Sequence, residues 1–556
     1  MILYFKRLNI LNKWAEEEKF LTDTQYGFRK NRGTTDCLFI LKGLIDIVFA
    51  RGLKLYVCFV DYQKAYDLLD RSCLFYKLTK QGVSSKCVNL FKDLYSKMKL
   101  NVITDKNRRS FASNVGLLQG ETSSPILFSL FVNDLEQSLT GGDIGIDIVD
   151  VLIKVLMFAD DMIILSTTVE GLQNGLNNLS DYCKKWGLTV NISKTKIMVF
   201  RKGGKLADIE KWFYNDVLVE IVSSFNYLGC EISSTGSFKN CIENLVSSAK
   251  RALFSLKRFF NKNRETLPEV QIRLFDSMVA PITYHGCEVW GLRKADSIEK
   301  FHLSFLKSIL RVKLSTTNCY VYGEFGIFPF LIERKVRVVK YWIKIIRSLN
   351  QNENYIQKIY RELIKINIEK PNISTWVSEI KYLLESTGFG YIWQQQMVFN
   401  ESEFLRLFKK RLCDMYLQEW EAEINLTTDG RLYKQLNKKF IFESYLHIND
   451  ASLRIAISKI RLSSHLFFIE RGRWSQNKIE RRDRPCQFCN SIEDEFHVLL
   501  CCPMFNNTRE GLLPKYLKEK KNMINFLKFI NAKKPEEQKK LGLLCYKIQK
   551  EYKQMI

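Results

Sequence analysis

Two adjacent carboxylates, Asp160 and Asp161, interrupt an apolar run and are well suited by type and spacing to metal chemistry. Apolar residues fill Val155–Phe158 before them and Met162–Leu165 after them, which predicts two strands joined by a tight turn at the acids. Two like charges repel, and burial of either is unfavourable unless a cation compensates. The pattern therefore favours a divalent metal site. The alternative is an acidic hairpin tip that faces solvent.

A third acid is needed if the pair serves phosphoryl transfer. Two-metal chemistry requires carboxylates that converge on cations about 3.5–4 Å apart, and a hairpin pair alone supplies too few ligands. Asp61 is the candidate, because it ends the strand-like run Tyr56–Val60. Alone, Asp61 would be an ordinary strand-end acid. Together with the hairpin pair it predicts a phosphoryl-transfer site.

A second group of ligand-type residues lies near the C-terminus. Cys486 and Cys489 are separated by two residues, a spacing that forms a chelating turn. His497 and one of the adjacent cysteines Cys501 and Cys502 would complete a tetrahedral zinc site, and helical spacing from the histidine favours Cys501. The alternative is a set of reduced core cysteines beside an ordinary histidine.

The elements that position these residues follow from periodicity. Residues 1–200 alternate strand-like and helix-like runs, as a mixed domain of sheet and helix does. From about residue 240 to the end, apolar residues recur at helical spacing. A chain of 556 residues exceeds one compact core, so two to four domains are expected.

The charge balance indicates a polyanionic partner. Lys and Arg total 85 against 60 Asp and Glu, which leaves a net charge of +25. Nucleic acid is favoured over an anionic membrane, since no apolar stretch is free of charges for long enough to span a bilayer. No signal peptide is recognisable, so the 15 cysteines are expected as reduced thiols or metal ligands in an intracellular protein, nuclear or cytoplasmic.

Six motifs in order resemble those of reverse transcriptases of the non-long-terminal-repeat (non-LTR) retrotransposon type. They are Gln25–Arg29, Phe59–Asp67, Gly116–Glu121, Phe158–Asp161, Gly187–Thr195 and Tyr227–Gly229. One such motif is weak support, whereas six in the right order are strong. The resemblance implies an RNA-directed DNA polymerase that transfers a nucleotide from a dNTP to a primer 3′-hydroxyl on an RNA template.

The resemblance also implies an α+β right-hand polymerase. Its parts would be partial fingers and a palm with an antiparallel sheet (1–235), a helical thumb with its extension (236–330), a helical basic region (331–480), a zinc knuckle (481–510) and a basic helical tail (511–556). In the knuckle, the family pattern of a cysteine before a proline favours Cys502 over Cys501, because Pro503 follows it. The implied zinc ligands are Cys486, Cys489, His497 and Cys502.

Roles for the polymerase residues come from the same resemblance. Asp61, Asp160 and Asp161 would hold two Mg²⁺ ions, and Lys194 would donate a proton to the leaving pyrophosphate. The implied substrate-binding residues are Arg29, Tyr66, Gln119 and Gly120. The aromatic ring of Tyr66 would lie under the sugar and select against a ribose 2′-hydroxyl.

One departure from the family pattern concerns the fingers. In this family the fingers begin well upstream of the Gly-Phe-Arg motif, with a basic segment that contacts the triphosphate. Only 24 residues precede Gln25 here, so we expect N-terminally truncated fingers and no endonuclease domain in this chain. The alternative function is therefore a catalytically inactive, nucleic-acid-binding remnant of such an element.

Overall fold

A computed structural model describes residue 11 and residues 13–18, 20–104, 107–263, 265–349, 354–427, 430–436, 439–473 and 479–556. The first ten residues of the predicted fingers lie outside these ranges. The chain divides into two compact units. The first consists of Met1–Cys241, Gly286–Leu292 and Val338–Glu401, and the second of Ile242–His285, Arg293–Arg337 and Ser402–Ile556. The boundaries of the five predicted segments stay a prediction.

The first part of the chain alternates helices with short strands. Its elements are α1 (Thr34–Ala50), β1 (Leu55–Val60), α2 (Arg71–Lys80), α3 (Ser85–Ser96), β2 (Lys99–Thr104), β3 (Asn107–Ala112), α4 (Ser124–Phe131), α5 (Leu135–Ser138), β4 (Ile146–Ile148), β5 (Val151–Ile153), β6 (Val155–Phe158), β7 (Asp161–Ser166), α6 (Val169–Trp186), β8 (Lys196–Phe200), β9 (Phe213–Tyr214), β10 (Val217–Leu218), β11 (Ser224–Tyr227) and β12 (Cys230–Ser233). All five sheets formed by these strands are antiparallel.

The rest of the described chain is helical. Its helices are α7 (Lys239–Lys262), α8 (Pro268–Met278), α9 (Ala280–Thr283), α10 (Cys287–Trp290), α11 (Asp296–Leu310), α12 (Asn318–Phe325), α13 (Phe330–Ser348), α14 (Tyr355–Glu369), α15 (Trp376–Ser386), α16 (Gly390–Gln395), α17 (Glu401–Leu426), α18 (Arg431–Leu436), α19 (Ala451–Arg461), α20 (Phe468–Arg471), α21 (Asn506–Arg509), α22 (Lys515–Glu519), α23 (Met523–Ile530) and α24 (Pro535–Met555). The predicted change from small antiparallel sheets to a helical region is confirmed. None of the described helices combines the length and apolarity that a bilayer crossing requires.

The central sheet of the first unit has the strand order β6-β7-β1-β8. Every residue of β1 is buried, which explains its continuous apolar sequence, because it pairs with β7 on one side and with β8 on the other. Helix α6 packs an apolar face on the sheet and ends at Gly187, whose φ of 68° places it in the left-handed region that favours glycine. The sheet is therefore a rigid base for the residues at its ends.

Helix α1 is almost fully buried although it carries three charged residues. Lys42 and Asp46 form an ion pair within the helix, and Asp46 also accepts from the backbone N–H of Trp376 at 3.3 Å. Asp36 accepts from Lys344 Nζ and from the Tyr341 hydroxyl, both at 2.9 Å. Asp36 and Asp46 thus both accept hydrogen bonds from Val338–Glu401, more than 300 residues further along the chain. This late segment is part of the same compact unit as the central sheet.

Gly43 marks the closest approach of α1 to this late segment. A Cβ added there would lie 2.3 Å from Cγ2 of Ile359, a buried and stiff β-branched side chain of α14. Alanine normally stabilises a helix interior relative to glycine by roughly 0.5–1 kcal/mol. We predict the opposite sign for Gly43→Ala: the overlap should lower the free energy of unfolding by about 1–3 kcal/mol in chemical denaturation.

Two variants control this prediction. In Gly43→Ala/Ile359→Ala the smaller side chain should recover part of the stability that the single Gly43→Ala substitution removes. Gly203→Ala should leave stability nearly unchanged, since no heavy atom lies within 4 Å of its added Cβ. A Gly43→Ala protein as stable as the parent would show that α1 and α14 do not pack at this distance.

Candidate active site and candidate metal centre

The register of the central sheet brings Asp61 beside the hairpin acids. Val60, the last residue of β1, pairs with Met162 of β7, and Phe158 pairs with Asp161 across the hairpin. Asp61 therefore leaves β1 at the sheet end where Asp160 and Asp161 lie. Its backbone is held there, because its N–H donates to Thr195 Oγ1 at 3.2 Å and its carbonyl accepts from Asn191 N at 2.8 Å.

The hairpin turn is held in place by Gln25. The fully buried Gln25 Oε1 accepts from the backbone N–H of Ala159 at 3.1 Å and from that of Gly27 at 2.9 Å. Ala159 has a φ of 58°, a strained value for a residue with a Cβ. Gly27 packs against it so closely that a Cβ on Gly27 would lie 2.3 Å from Ala159 N. The sequence motif contained Gln25 and Gly27, but its pattern gave no sign of this contact.

Asp160 and Asp161 are both exposed, so burial of the pair within the apolar run is wrong, whereas the metal site stays a prediction. The adjacent sheet nevertheless reduces the access of water to both carboxylates. Partial burial, followed by the charges of Asp160 and Asp61, raises the pKa of Asp161 from 3.8 to about 6. Partial burial and then Asp61 also raise the pKa of Asp160, although its own backbone N–H lowers it. The three carboxylates thus repel one another, and an oxygen-ligated divalent cation suits such a set.

A cavity of about 710 Å³ opens beside these acids. Asp61, Asp161 and Lys194 line one part of it, and the turn Tyr227–Gly229 between β11 and β12 lines another. Lys194 Nζ lies 4.0 Å from Asp61 Oδ2, and its side chain is 69% exposed, which leaves it free to reach a ligand in the cavity. The β11–β12 hairpin is positioned by a stack of Phe225 on Phe59 of β1, with 4.2 Å between ring centroids.

The predicted substrate-binding residues Tyr66, Gln119 and Gly120 lie at or near the surface. Tyr66 is half-buried and stacks on Phe128 with 5.0 Å between centroids; burial and the charge of Asp160 raise the pKa of its hydroxyl. Gln119 is exposed and donates to Asp67 Oδ1 at 3.0 Å. Gly120 is exposed with a φ of 81°, and nothing lies within 4 Å of a Cβ built on it. A ligand can therefore approach its backbone closely.

Arg29 occupies a different environment from these three residues. Its guanidinium binds both carboxylate oxygens of Glu16 at 2.9 Å and the carbonyl oxygens of Thr22 and Gln25, and its side chain is 6% exposed. Such a bidentate pair anchors the Gln25–Arg29 segment. The substrate contact assigned to Arg29 stays a prediction. The observed contacts show that Arg29 stabilises the segment around it.

The second unit contains a compact group of metal-ligand side chains. The ligand atoms of Cys486, Cys489, His497 and Cys502 all lie within 4.8 Å of one another. Cys486 Sγ and Cys502 Sγ are 3.8 Å apart, the edge length of a tetrahedron with Zn–S bonds of about 2.3 Å. Burial lowers the pKa of His497, which keeps its imidazole in the neutral form that binds zinc. Cys501 is exposed and lies outside the cluster.

Backbone contacts that the sequence did not indicate hold this cluster together. The turn after Cys486 closes with a hydrogen bond from Asn490 N to the Cys486 carbonyl at 3.0 Å. A π-helical turn, His497–Cys501, then carries the chain to Cys502. The buried Arg509 donates to the carbonyl oxygens of Val498, Leu499 and Cys502 at 3.1, 2.9 and 2.6 Å. A fixed backbone of this kind orients metal ligands.

Comparison with known proteins agrees with the motif order. The family model for reverse transcriptase (RNA-dependent DNA polymerase) matches residues 3–232. The chain is 24% identical over 319 residues to the RNA-directed DNA polymerase from mobile element jockey of Drosophila funebris, which covers 55% of this chain and 33% of the relative. It is 23% identical over 506 residues to a putative 115 kDa protein in the type-1 retrotransposable element R1DM of Drosophila melanogaster, which covers 87% of this chain and 43% of the relative.

Among solved structures, the chain is similar to apo telomerase from Candida Tropicalis, with a TM-score of 0.33 and 12% identity over 73% of this chain and 59% of that chain. The chain spans less than half the length of the two retrotransposon relatives. The matched family model and the ordered motifs both fall on the unit that holds Asp61, Asp160 and Asp161. The chain therefore contains, over residues 3–232, a reverse transcriptase domain of the non-LTR retrotransposon type.

Proposed function

We propose that this chain is an RNA-directed DNA polymerase that extends a primer 3′-end on an RNA template. The observation that carries the proposal is the convergence of Asp61, Asp160 and Asp161 at one end of a rigid sheet, beside an open cavity, within a reverse transcriptase domain. The central sheet corresponds to the palm of a right-hand polymerase in this proposal. Helices α7 to α12 would supply the thumb and its extension, and the net charge of +25 favours binding of RNA and DNA.

The three carboxylates would hold two Mg²⁺ ions, which when bound activate the primer 3′-hydroxyl and neutralise the departing pyrophosphate. The raised pKa values of Asp160 and Asp161, which partial burial and neighbouring carboxylates cause, support this assignment, and Lys194 lies 4.0 Å from Asp61. Lys194 can approach the leaving group across the cavity and donate a proton from Nζ. Tyr66 would lie beside the sugar of the incoming nucleotide and exclude a 2′-hydroxyl. The exposed Gln119 and the open backbone at Gly120 would contact the nucleotide and the template.

The Cys486, Cys489, His497 and Cys502 cluster would hold one Zn²⁺ as a closed structural site. All four positions of the tetrahedron are then filled by protein, so no place remains for a reactive water. Arg481 and Arg482 precede the cluster and are at least partly exposed, which suits a contact with phosphates. The zinc knuckle would therefore organise a nucleic-acid contact of the second unit.

The first prediction of this proposal concerns catalysis. Asp160→Asn should lower primer extension on a primed RNA template by at least about 100-fold, because one carboxylate of the metal site is lost. RNA affinity in filter binding should remain within about threefold of the parent. The control Asp181→Asn alters an exposed acid of α6 and should extend normally. A parent protein that binds RNA but incorporates no nucleotide would contradict the enzyme and favour an inactive binding remnant.

The second prediction concerns stability and pH. Asp161→Asn should raise the melting temperature at pH 7 in metal-free buffer, because it removes a partly buried charge that two neighbouring carboxylates also repel. The folded protein keeps the Asp161 proton up to about pH 6 and the unfolded chain only to about 3.8. The gain should therefore be absent below pH 4, grow between pH 4 and 6, and stay constant above. Differential scanning fluorimetry at pH 4, 5 and 7 measures it.

Magnesium provides the matching control for this stability prediction. Millimolar Mg²⁺ should raise the melting temperature of the parent at pH 7 by mass action and should raise that of Asp161→Asn much less. If the variant melts below the parent at pH 7 without metal, the Asp161 carboxylate would stabilise the fold through hydrogen bonds, and its repulsion by the other two acids would be the smaller effect.

The third prediction concerns zinc. The purified parent should contain about one zinc atom per chain by atomic absorption, and Cys486→Ser should lose it together with several degrees of melting temperature. Cys501→Ser is the matched control, since this exposed neighbour lies outside the cluster and its replacement should retain the metal. Equal zinc content in both variants would contradict the ligand set.

A further inference from the structure

Phe28 combines two unfavourable features in a tightly held segment. Its side chain is 68% exposed, and its φ of 57° lies in the left-handed region that residues with a Cβ rarely adopt. Its neighbours Gln25 and Tyr26 are fully buried. A single exposed aromatic residue is ordinary on a protein surface, but an exposed one in strained backbone next to a candidate active site is not.

The contacts on either side of Phe28 explain why it stays exposed. Arg29 is anchored by its pair with Glu16, and Gly27 is pressed against Ala159 of the hairpin. The backbone between these two fixed points has little freedom to turn the ring inward. The strain is thus imposed by the same contacts that hold the hairpin turn.

A second aromatic ring lies next to Phe28. The centroid of Phe158 is 6.4 Å away at an interplanar angle of 36°, within the range of favourable aromatic pairs. Phe158 is partly exposed and lies two residues before Asp160. Two rings therefore stand beside the carboxylates that we propose hold the metal ions.

We infer that Phe28, backed by Phe158, stacks on a nucleobase of the primer–template beside the metal-binding hairpin. The inference rests on the proposed function, since it deepens the description of the same site. A phenyl ring has no hydrogen-bonding group, so it would stack on every base alike, as a polymerase that copies any template requires. The primer-terminal base and a template base share this chemistry, and the experiment distinguishes them.

The test uses the full chain with the Asp160→Asn substitution, so that binding is measured without turnover. A fluorescent 2-aminopurine is placed either at the primer 3′-end or opposite the incoming nucleotide in the template. Binding should quench one of the two probes through stacking. Phe28→Tyr should keep the quenching, whereas Phe28→Leu should remove it and weaken primer–template affinity roughly 5- to 100-fold.

Two further variants separate stacking from folding. Phe28→Gly should bind as weakly as Phe28→Leu yet melt no lower than the parent, because glycine adopts a positive φ without strain. Phe213→Ala, at an exposed aromatic residue of β9 on the same unit, should leave quenching and affinity unchanged.

The outcomes separate this inference from the proposed function. In the background without Asp160→Asn, Phe28→Leu should raise KM for the primer–template with little change in kcat. If the parent extends primers but Phe28→Leu leaves affinity and quenching unchanged, the stacking inference would be wrong and the proposed function would stand. If the parent never extends a primer but still shows quenching that depends on Phe28, the proposed polymerase activity would be wrong and the stacking inference would be supported.

Discussion

The repulsion among Asp61, Asp160 and Asp161 is the constraint around which the first unit is built. Partial burial and then the charge of Asp61 raise the pKa of Asp160, and partial burial and then the charges of Asp160 and Asp61 raise the pKa of Asp161. The surrounding structure must therefore maintain the proximity of these carboxylates. The antiparallel register of β1 with β7 maintains it, because a slip of one residue would move Asp61 to the other face of the sheet. The buried apolar pairs along these strands offset the electrostatic penalty of this arrangement.

Contacts from several parts of the first unit hold this register and the hairpin turn. Gln25 and Gly27 brace the turn directly, and Arg29 anchors that segment through Glu16. Helix α1 follows the segment immediately and is covered by Val338–Glu401, which satisfies its buried Asp36 and Asp46. The geometry of the three carboxylates is therefore linked to a late part of the chain that the reverse transcriptase match over residues 3–232 does not include.

The sequence revealed the local parts of this arrangement better than the long-range ones. The hairpin at Asp160, the strand end at Asp61 and the chelating turn at Cys486 follow from patterns within ten residues, and alternation or spacing predicts them. Exposure of the acids could not be predicted, since it depends on what packs around the turn. The pairing of Arg29 with Glu16 and the cover of α1 depend on distant chain segments, for which a single sequence carries no periodic signal. The roles of Lys194, Tyr66, Gln119 and Gly120 stay predictions.

We propose that Asp61, Asp160 and Asp161 hold two divalent ions. Anomalous diffraction from crystals of the full chain with Mn²⁺, a dideoxy-terminated primer on RNA and an incoming dNTP tests it most directly. Two manganese peaks about 3.5–4 Å apart, both ligated by these carboxylates, are expected. Manganese bound elsewhere, or a fully formed complex with no peak at these acids, would show that the three carboxylates do not form the metal site.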